Sequence, residues 1–495
     1  MTFFQNENGE YRFSRLPFAQ RINKVLDSCW FLFAIAALTL LSNIFALEFP
    51  LYVLCCVLML YLGIFGTDFR LVISLLINCY IAPSVENNPG RNPESIFSLE
   101  NGGAWLVALA AICLVALFLR CTVDREIGFV KLKRHPRLLW GFLALGAAFF
   151  ISGMGMQGYG ELAQRNLLLA FMQTVAFFVP YLLVGIGVRW DRMEAGYLAM
   201  IGLLAGFTVG FEILNIYCTG NVVVVDALRG VLIRREHIYT GWGHYNNMAV
   251  LIAMAIPFAF YFMYIGKRVI LNSILAALLC VFAVLSCSRA GILGAGGIYL
   301  FCAIAVLFKT KNRRAKIMIS AGLGVAFAAL IVVFFLAQEV FASAFANGLK
   351  SDARMELYEA GISVFQEHPI LGATFYSLNV YVQNLGENVT WIWSDVEAFT
   401  NFFPGRWHNT VVQMLASCGI VGLVAYLFHR YQSVLLFWRD PHAEKTFIGL
   451  SLCVILALSL LDCHLFNLGP TLFYSAALAY AEHKRPSPEI VEEGT

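Results

Sequence analysis

Charge is what this sequence has least of. Asp, Glu, Lys and Arg make up 13% of its 495 residues, about half the share of a soluble domain, and the mean hydropathy is +0.73. A soluble globular chain is excluded. The apolar/polar alternation of a membrane barrel is also missing, because the apolar runs are continuous. The chain therefore reads as all-α, a polytopic transmembrane helix bundle of about 12–14 spans. The 13 cysteines show no CxxC or Cys/His spacing of zinc type, so neither a metal site nor a disulfide framework is expected. Cys55, Cys56, Cys79, Cys113, Cys280, Cys302 and Cys453 lie within or beside apolar runs, where a free thiol behaves as a small hydrophobe. Internal repeats, low-complexity tracts and an attached soluble domain are absent too. The first apolar run begins near Cys29 after a polar segment, with no clean small-residue cleavage site, and reads as a first span rather than a signal peptide.

What is present is a series of apolar runs. Fourteen candidate spans fall at 29–47, 50–66, 69–83, 103–121, 138–156, 166–187, 195–217, 245–265, 269–287, 291–308, 317–337, 410–429, 446–463 and 468–481. Placing the N-terminus inside, because of Arg12, Arg15, Arg21 and Lys24, puts a basic residue in every inside loop. Both termini are then cytoplasmic. Nine of the 34 basic residues fall outside: Arg91, Arg165, Arg229, Arg234, Arg235, Arg289, Lys350, Arg354 and Arg406. Eight of those nine are Arg. Snorkelling at helix ends would explain any one of them. As a group they suit anion binding, since a planar guanidinium grips phosphate with two donors.

The longest polar interruption lies between the spans 317–337 and 410–429, over 338–409. Met355, Tyr358, Ile362 and Phe365 recur at helical spacing and predict an amphipathic helix, on the outer surface or against the bundle. Pro369 ends that helix and Gly372 allows a turn. Tyr376, Tyr381, Trp391, Trp393 and Trp407 follow, with Asp395 and Glu397. Aromatic faces beside carboxylates suit sugar rings, and an interfacial aromatic belt would use the same residues. The segment closes on Arg406-Trp407-His408-Asn409. Asn409 is placed to cap the next helix. An imidazole at the water edge, His408, can act as a general base. Two further outer segments are a turn-rich loop, 83–103, and 218–243, in which Val222 to Val225 predicts a short strand or interfacial piece.

Taken in order, five motifs resemble those of the O-antigen ligase/polymerase superfamily of membrane glycosyltransferases. They are Gly243-His244-Tyr245-Asn246-Asn247 leading a helix, Ser288-Arg289-Ala290-Gly291, Arg354 followed by Tyr358-Glu359-Ala360, His368-Pro369-Ile370-Leu371-Gly372, and His408-Asn409 followed by Gly419 and Gly422. Thr374 stands where the family often has a second glycine. The resemblance covers roughly 195–430 and divides the chain into N-terminal helices (1–194), a ligase/polymerase-like core (195–430, including 338–409), and C-terminal helices with a cytoplasmic tail (431–495). It implies metal-independent, inverting transfer of a glycan from undecaprenyl pyrophosphate to an acceptor hydroxyl, on a glycan, lipid or protein, at the outer face of a bacterial cytoplasmic membrane. No cofactor and no nucleic acid is implied. In this reading His408, Arg289 and Arg354 are catalytic, and Arg234, Arg235, His244, Asn409, Trp407 and Arg406 bind substrate. Ligase and polymerase share the bond chemistry and differ in acceptor. A transporter or flippase of lipid-linked glycan is the alternative. It would place its polar groups near the midplane, whereas here only Glu212 and Asp462 stand out inside the spans, both near an outer end.

Overall fold

The computed structural model describes residues 11–82, 103–124, 127, 137–154, 160–190, 194–219, 245–336, 353–375, 377–378, 406–438, 442–466 and 468–483. Among them there is no β-sheet, and helices follow one another in order. They are α1 (Pro17–Leu26), α2 (Cys29–Phe45), α3 (Glu48–Phe65), α4 (Arg70–Ile81), α5 (Gly103–Val123), α6 (Arg137–Ile151), α7 (Gly160–Gly187), α8 (Ala195–Thr219), α9 (Tyr245–Tyr264), α10 (Val269–Leu285), α11 (Arg289–Lys309), α12 (Arg313–Leu336), α13 (Ala353–Glu367), α14 (Thr410–Trp438), α15 (Ala443–Leu458) and α16 (Leu468–His483). Every candidate span from the sequence overlaps one of these helices, though that of 446–463 stops at Leu458. Among the described residues, seven are long and apolar enough to cross a membrane, or up to eight if the bent pair α1–α2 is one span. Arg70–Ile81, Arg137–Ile151 and Val269–Leu285 are shorter apolar helices. Trp30, Trp105, Trp140 and Trp438 are exposed near helix ends, where an interfacial belt would put them.

Helix α9 is the centre of the bundle. Its apolar window is 94% buried, and α8, α10, α11 and α15 pack around it. Close approach is set by small residues: a side chain at Gly202 or Gly206 of α8 would strike Phe258 or Ala255 of α9. Without a water-driven force between helices in lipid, such backbone proximity is what holds them. Buried polar ties cross between the helices as well. Ser451 Oγ of α15 donates to the Met254 carbonyl at 2.7 Å. Asn43 of α2 donates to Glu212 Oε2 of α8 at 2.6 Å.

Helix α14 is broken at Gly419, whose backbone is non-helical (φ 63, ψ −160). The segment after α13 fills the break. The N–H of Ile420 donates to the Pro369 carbonyl at 2.9 Å, and that of Ala373 to the Ala416 carbonyl at 2.9 Å. Gly419 lies about 14 Å along the helix from Thr410 at 1.5 Å per residue. The strap 369–373 therefore enters at membrane depth, and non-helical backbone is tolerated there only when protein satisfies it. Gly372 takes φ 69 in the strap, the turn expected from the sequence. A Cβ at Gly419 would run into the Ile370 carbonyl, and one at Gly372 into the Ser417–Cys418 backbone. Gly419→Ala is expected to cost about 2 kcal/mol or more, from strain and overlap together. A lowered thermal midpoint of the detergent-solubilised protein, with less monodisperse material, checks this.

The helix expected around 354–365 is present as α13, but it packs by a different face. Leu357, Ala360, Gly361 and Val364 are buried, while Met355 and Ile362 are exposed. The small residues win because they let α13 sit directly on α14: a Cβ at Gly361 would meet Val412 and Trp407. Leu357, Ala360, Val364, Ala373, Trp407 and Val412 belong to a second apolar cluster, apart from the main core. The loop 83–102, Val222 to Val225, and Tyr376, Tyr381, Trp391, Trp393, Asp395 and Glu397 lie outside the described residues.

Candidate functional site

Three helix N-termini and one turn meet around His408. The first is the start of α14. Asn409 caps it, its Oδ1 accepting the N–H groups of Val411 at 2.8 Å and Val412 at 3.2 Å. Its Nδ2 donates to the Leu460 carbonyl at 2.9 Å, and the N–H of Thr410 donates to the Ser459 carbonyl at 2.9 Å. These two bonds tie α14 to the turn that follows α15. The amide of Asn409 is thus engaged in structure at both ends.

Trp407 is fully buried. Its Nε1 donates to Ser377 Oγ at 2.9 Å and its backbone N–H to Gln413 Oε1 at 3.0 Å. From the sequence alone Trp407 belongs with the rings that suit a glycan. The structure corrects this: the ring is an anchor inside the second cluster, with no face left for a sugar. Anchored on one side by Trp407 and on the other by the cap, His408 is held at φ 50, a left-handed conformation that is uncommon for a non-glycine residue and costs energy. Tyr358 of α13 donates to the His408 carbonyl at 3.0 Å.

The imidazole faces a carboxylate. His408 Nδ1 lies 3.3 Å from Asp462 Oδ1, with 29% of the histidine side chain exposed and 10% of the aspartate. The contact is close without being a linear hydrogen bond, an alignment common in sites without substrate. Nδ1 is directed at Asp462, which leaves Nε2 as the ring nitrogen for a proton from outside. Burial alone would push the Asp462 carboxyl up. The charges of His408 and His464 and the N–H of Cys463 outweigh it and hold the group well below the usual carboxylate range. Burial and the neighbouring Asp462 push the Cys463 thiol up, against the charge of Arg406, so this thiol is no nucleophile.

The other two N-termini complete the ring of contacts. Asn246, in the first turn of α9, donates from Nδ2 to Asp462 Oδ2 at 3.2 Å. Its neighbour Asn247 meets His464 Nδ1 at 3.0 Å. Ser288 caps α11, accepting the Gly291 N–H at 3.0 Å, and donates to Asn246 Oδ1 at 2.6 Å. Arg289 is the next residue, exposed at the head of α11. Unpaired N–H groups and the positive end of the helix dipole favour anions at such ends.

Of the residues expected from sequence, the structure brings His408, Asn409, Trp407 and Arg406 together and connects Arg289 to them through Ser288, Asn246 and Asp462. Arg354 lies in the first turn of α13, which packs on α14. Arg234, Arg235 and His244, and the side chain of Arg354, lie outside the described residues. Asp462 was missed as a partner. Its signal was the polar group Asp462-Cys463-His464 in an apolar run, read as the end of a span; α15 in fact stops at Leu458, and Asp462 sits in the turn beyond it.

No curated protein matches the chain. A family model described as O-Antigen ligase matches residues 274–427, a segment that holds Arg289, Arg354 and His408 and excludes Asn246 and Asp462. The match spans about a third of the chain, so it is this segment of the helical membrane bundle that is similar to the O-antigen ligase family.

Proposed function

We propose that the chain transfers a glycan from an undecaprenyl-pyrophosphate donor to an acceptor hydroxyl at the outer face of the cytoplasmic membrane. The observation that carries this reading is the His408–Asp462 pair, placed where three helix N-termini converge. A base beside an anion-favouring surface suits displacement of a pyrophosphate. His408 Nε2 takes the proton of the acceptor hydroxyl while its oxygen forms the bond to the anomeric carbon. The bond from that carbon to the pyrophosphate oxygen breaks, and the electron pair leaves on the phosphate. One displacement inverts the anomeric centre. Arg289 and Arg354 offset the developing charge, with Arg234 or Arg235 added from the segment before α9, and Arg406 contributes beside His408. Asp462 holds the imidazole and stabilises the imidazolium. The site thus draws on the C-terminal helices as well as on 195–430.

Arg289→Ala and Arg354→Ala are each expected to lower glycan transfer in membranes by about 10²-fold, the typical effect of removing one charge-stabilising donor. Near-wild-type transfer in both, at normal protein levels, would sink the assignment. The lipid-linked glycan that accumulates on loss of the protein separates the two acceptor classes: single repeats indicate a polymerase, long chains a ligase.

A further inference from the structure

The hydrogen-bond chain behind His408 has a direction. Ser288 Oγ accepts the Gly291 N–H, so its own proton is directed at Asn246 Oδ1. With that oxygen accepting, the Asn246 amide must present Nδ2 to Asp462 Oδ2. Asp462 Oδ1 then accepts the Cys463 N–H at 2.6 Å and faces His408 Nδ1 at 3.3 Å. Ser288, Asn246 and Asp462 are each buried, where an unmatched donor or acceptor is costly, so reversing one amide would break two contacts. The chain begins at the residue before Arg289 and ends at Asp462, which faces the imidazole.

We propose that Asn246 and Ser288 are positioning residues that orient Asp462, and through it His408, and so lock the base to the arginine-bearing end of α11. The proposal rests on the catalytic reading of His408. It adds a requirement that the family-matched segment alone does not contain, because Asn246 and Asp462 lie outside it.

The charged and titratable groups around the pair come from several elements. Cys463 and His464 share the turn with Asp462, Arg406 precedes His408, Tyr358 reaches it from α13, and Arg289 heads α11. None of these changes in an isosteric swap at Asn246. Asn246→Asp keeps the shape and the oxygen facing Ser288 but turns an oxygen toward Asp462. Two facing carboxylates share one proton, and that proton restores a donor to Asp462. Asn246→Leu has no such proton to gain.

The test uses full-length protein in native membranes, with the wild type and Ser451→Ala as the control for losing a buried hydrogen bond elsewhere. Asn246→Asp is expected to lose kcat with little change in KM for the lipid-linked donor. Its rate relative to wild type should recover by about fivefold or more between about pH 8 and about pH 6, while Asn246→Leu stays low throughout. Ser288→Thr, which retains the hydroxyl, should keep transfer that Ser288→Val loses. Independently of transfer, carbethoxylation of His408 at fixed pH, read by peptide mass spectrometry, should quicken by about threefold in Asn246→Leu as the ring loses its fixed partner. A flat relative pH profile for Asn246→Asp together with unchanged His408 labelling overturns the relay, whether or not His408 proves essential. If His408 proves dispensable for transfer, the catalytic reading falls, and the labelling alone decides the relay.

Discussion

His408→Asn is expected to abolish most glycan transfer, by about 10²–10⁴-fold in kcat, the usual contribution of a positioned base. Asparagine is the informative replacement. His408 sits at φ 50, and Asn is among the few side chains that occupy the left-handed region readily. The backbone, the Trp407 anchor and the Asn409 cap are therefore preserved while the imidazole is lost. His408→Ala removes the same chemistry and adds strain, so it should show less protein in the membrane as well as less activity. Transfer by isolated membranes, normalised to protein level, separates the two effects. Equal, near-normal activity in both variants would remove the base from the mechanism.

The second large effect is at Asp462. Asp462→Asn keeps the shape but removes the charge that faces Nδ1, and kcat is expected to fall by about 10–10³-fold. Stability should respond as well, with a defined sign. The carboxyl is held well below its ordinary range by His408, His464 and the Cys463 N–H, in spite of burial. A carboxylate depressed on folding contributes stability that is fully present above its unfolded value, about 3.9, and lost as pH falls through the folded value. At neutral pH the wild type should therefore have the higher thermal midpoint, and the gap to Asp462→Asn should shrink on acidification below about pH 4. A gap that widens on acidification would contradict the placement of the charge.

Much of the framework was legible because lipid imposes a simple rule: apolar runs become helices. The helices at the fourteen candidate positions, seven or eight of them long and apolar enough to cross a membrane among the described residues, the cap at Asn409 and the turn at Gly372 follow from local composition and backbone preference. The face of α13 was misread because the apolar stripe Met355–Tyr358–Ile362–Phe365 is larger, yet packing selected Ala360 and Gly361 for closeness to Trp407. Trp407 looked like a sugar platform because nothing local distinguishes an anchor from a stacking surface. Asp462 stands 54 positions from His408, and Asn246 lies 216 positions before Asp462. Only the order of packing around α9 brings them together, and that order is not written in any local pattern.

The hydrogen bond from Trp407 Nε1 to Ser377 Oγ has a consequence for the stretch of chain between them. Its two ends are tied to each other on the bundle. The scaffold has already met the cost of bringing those ends together, so added length carries only the slow logarithmic penalty of a larger loop, about 0.6 kcal/mol per doubling. Added length within 379–405 is therefore expected to leave the thermal midpoint of the bundle nearly unchanged.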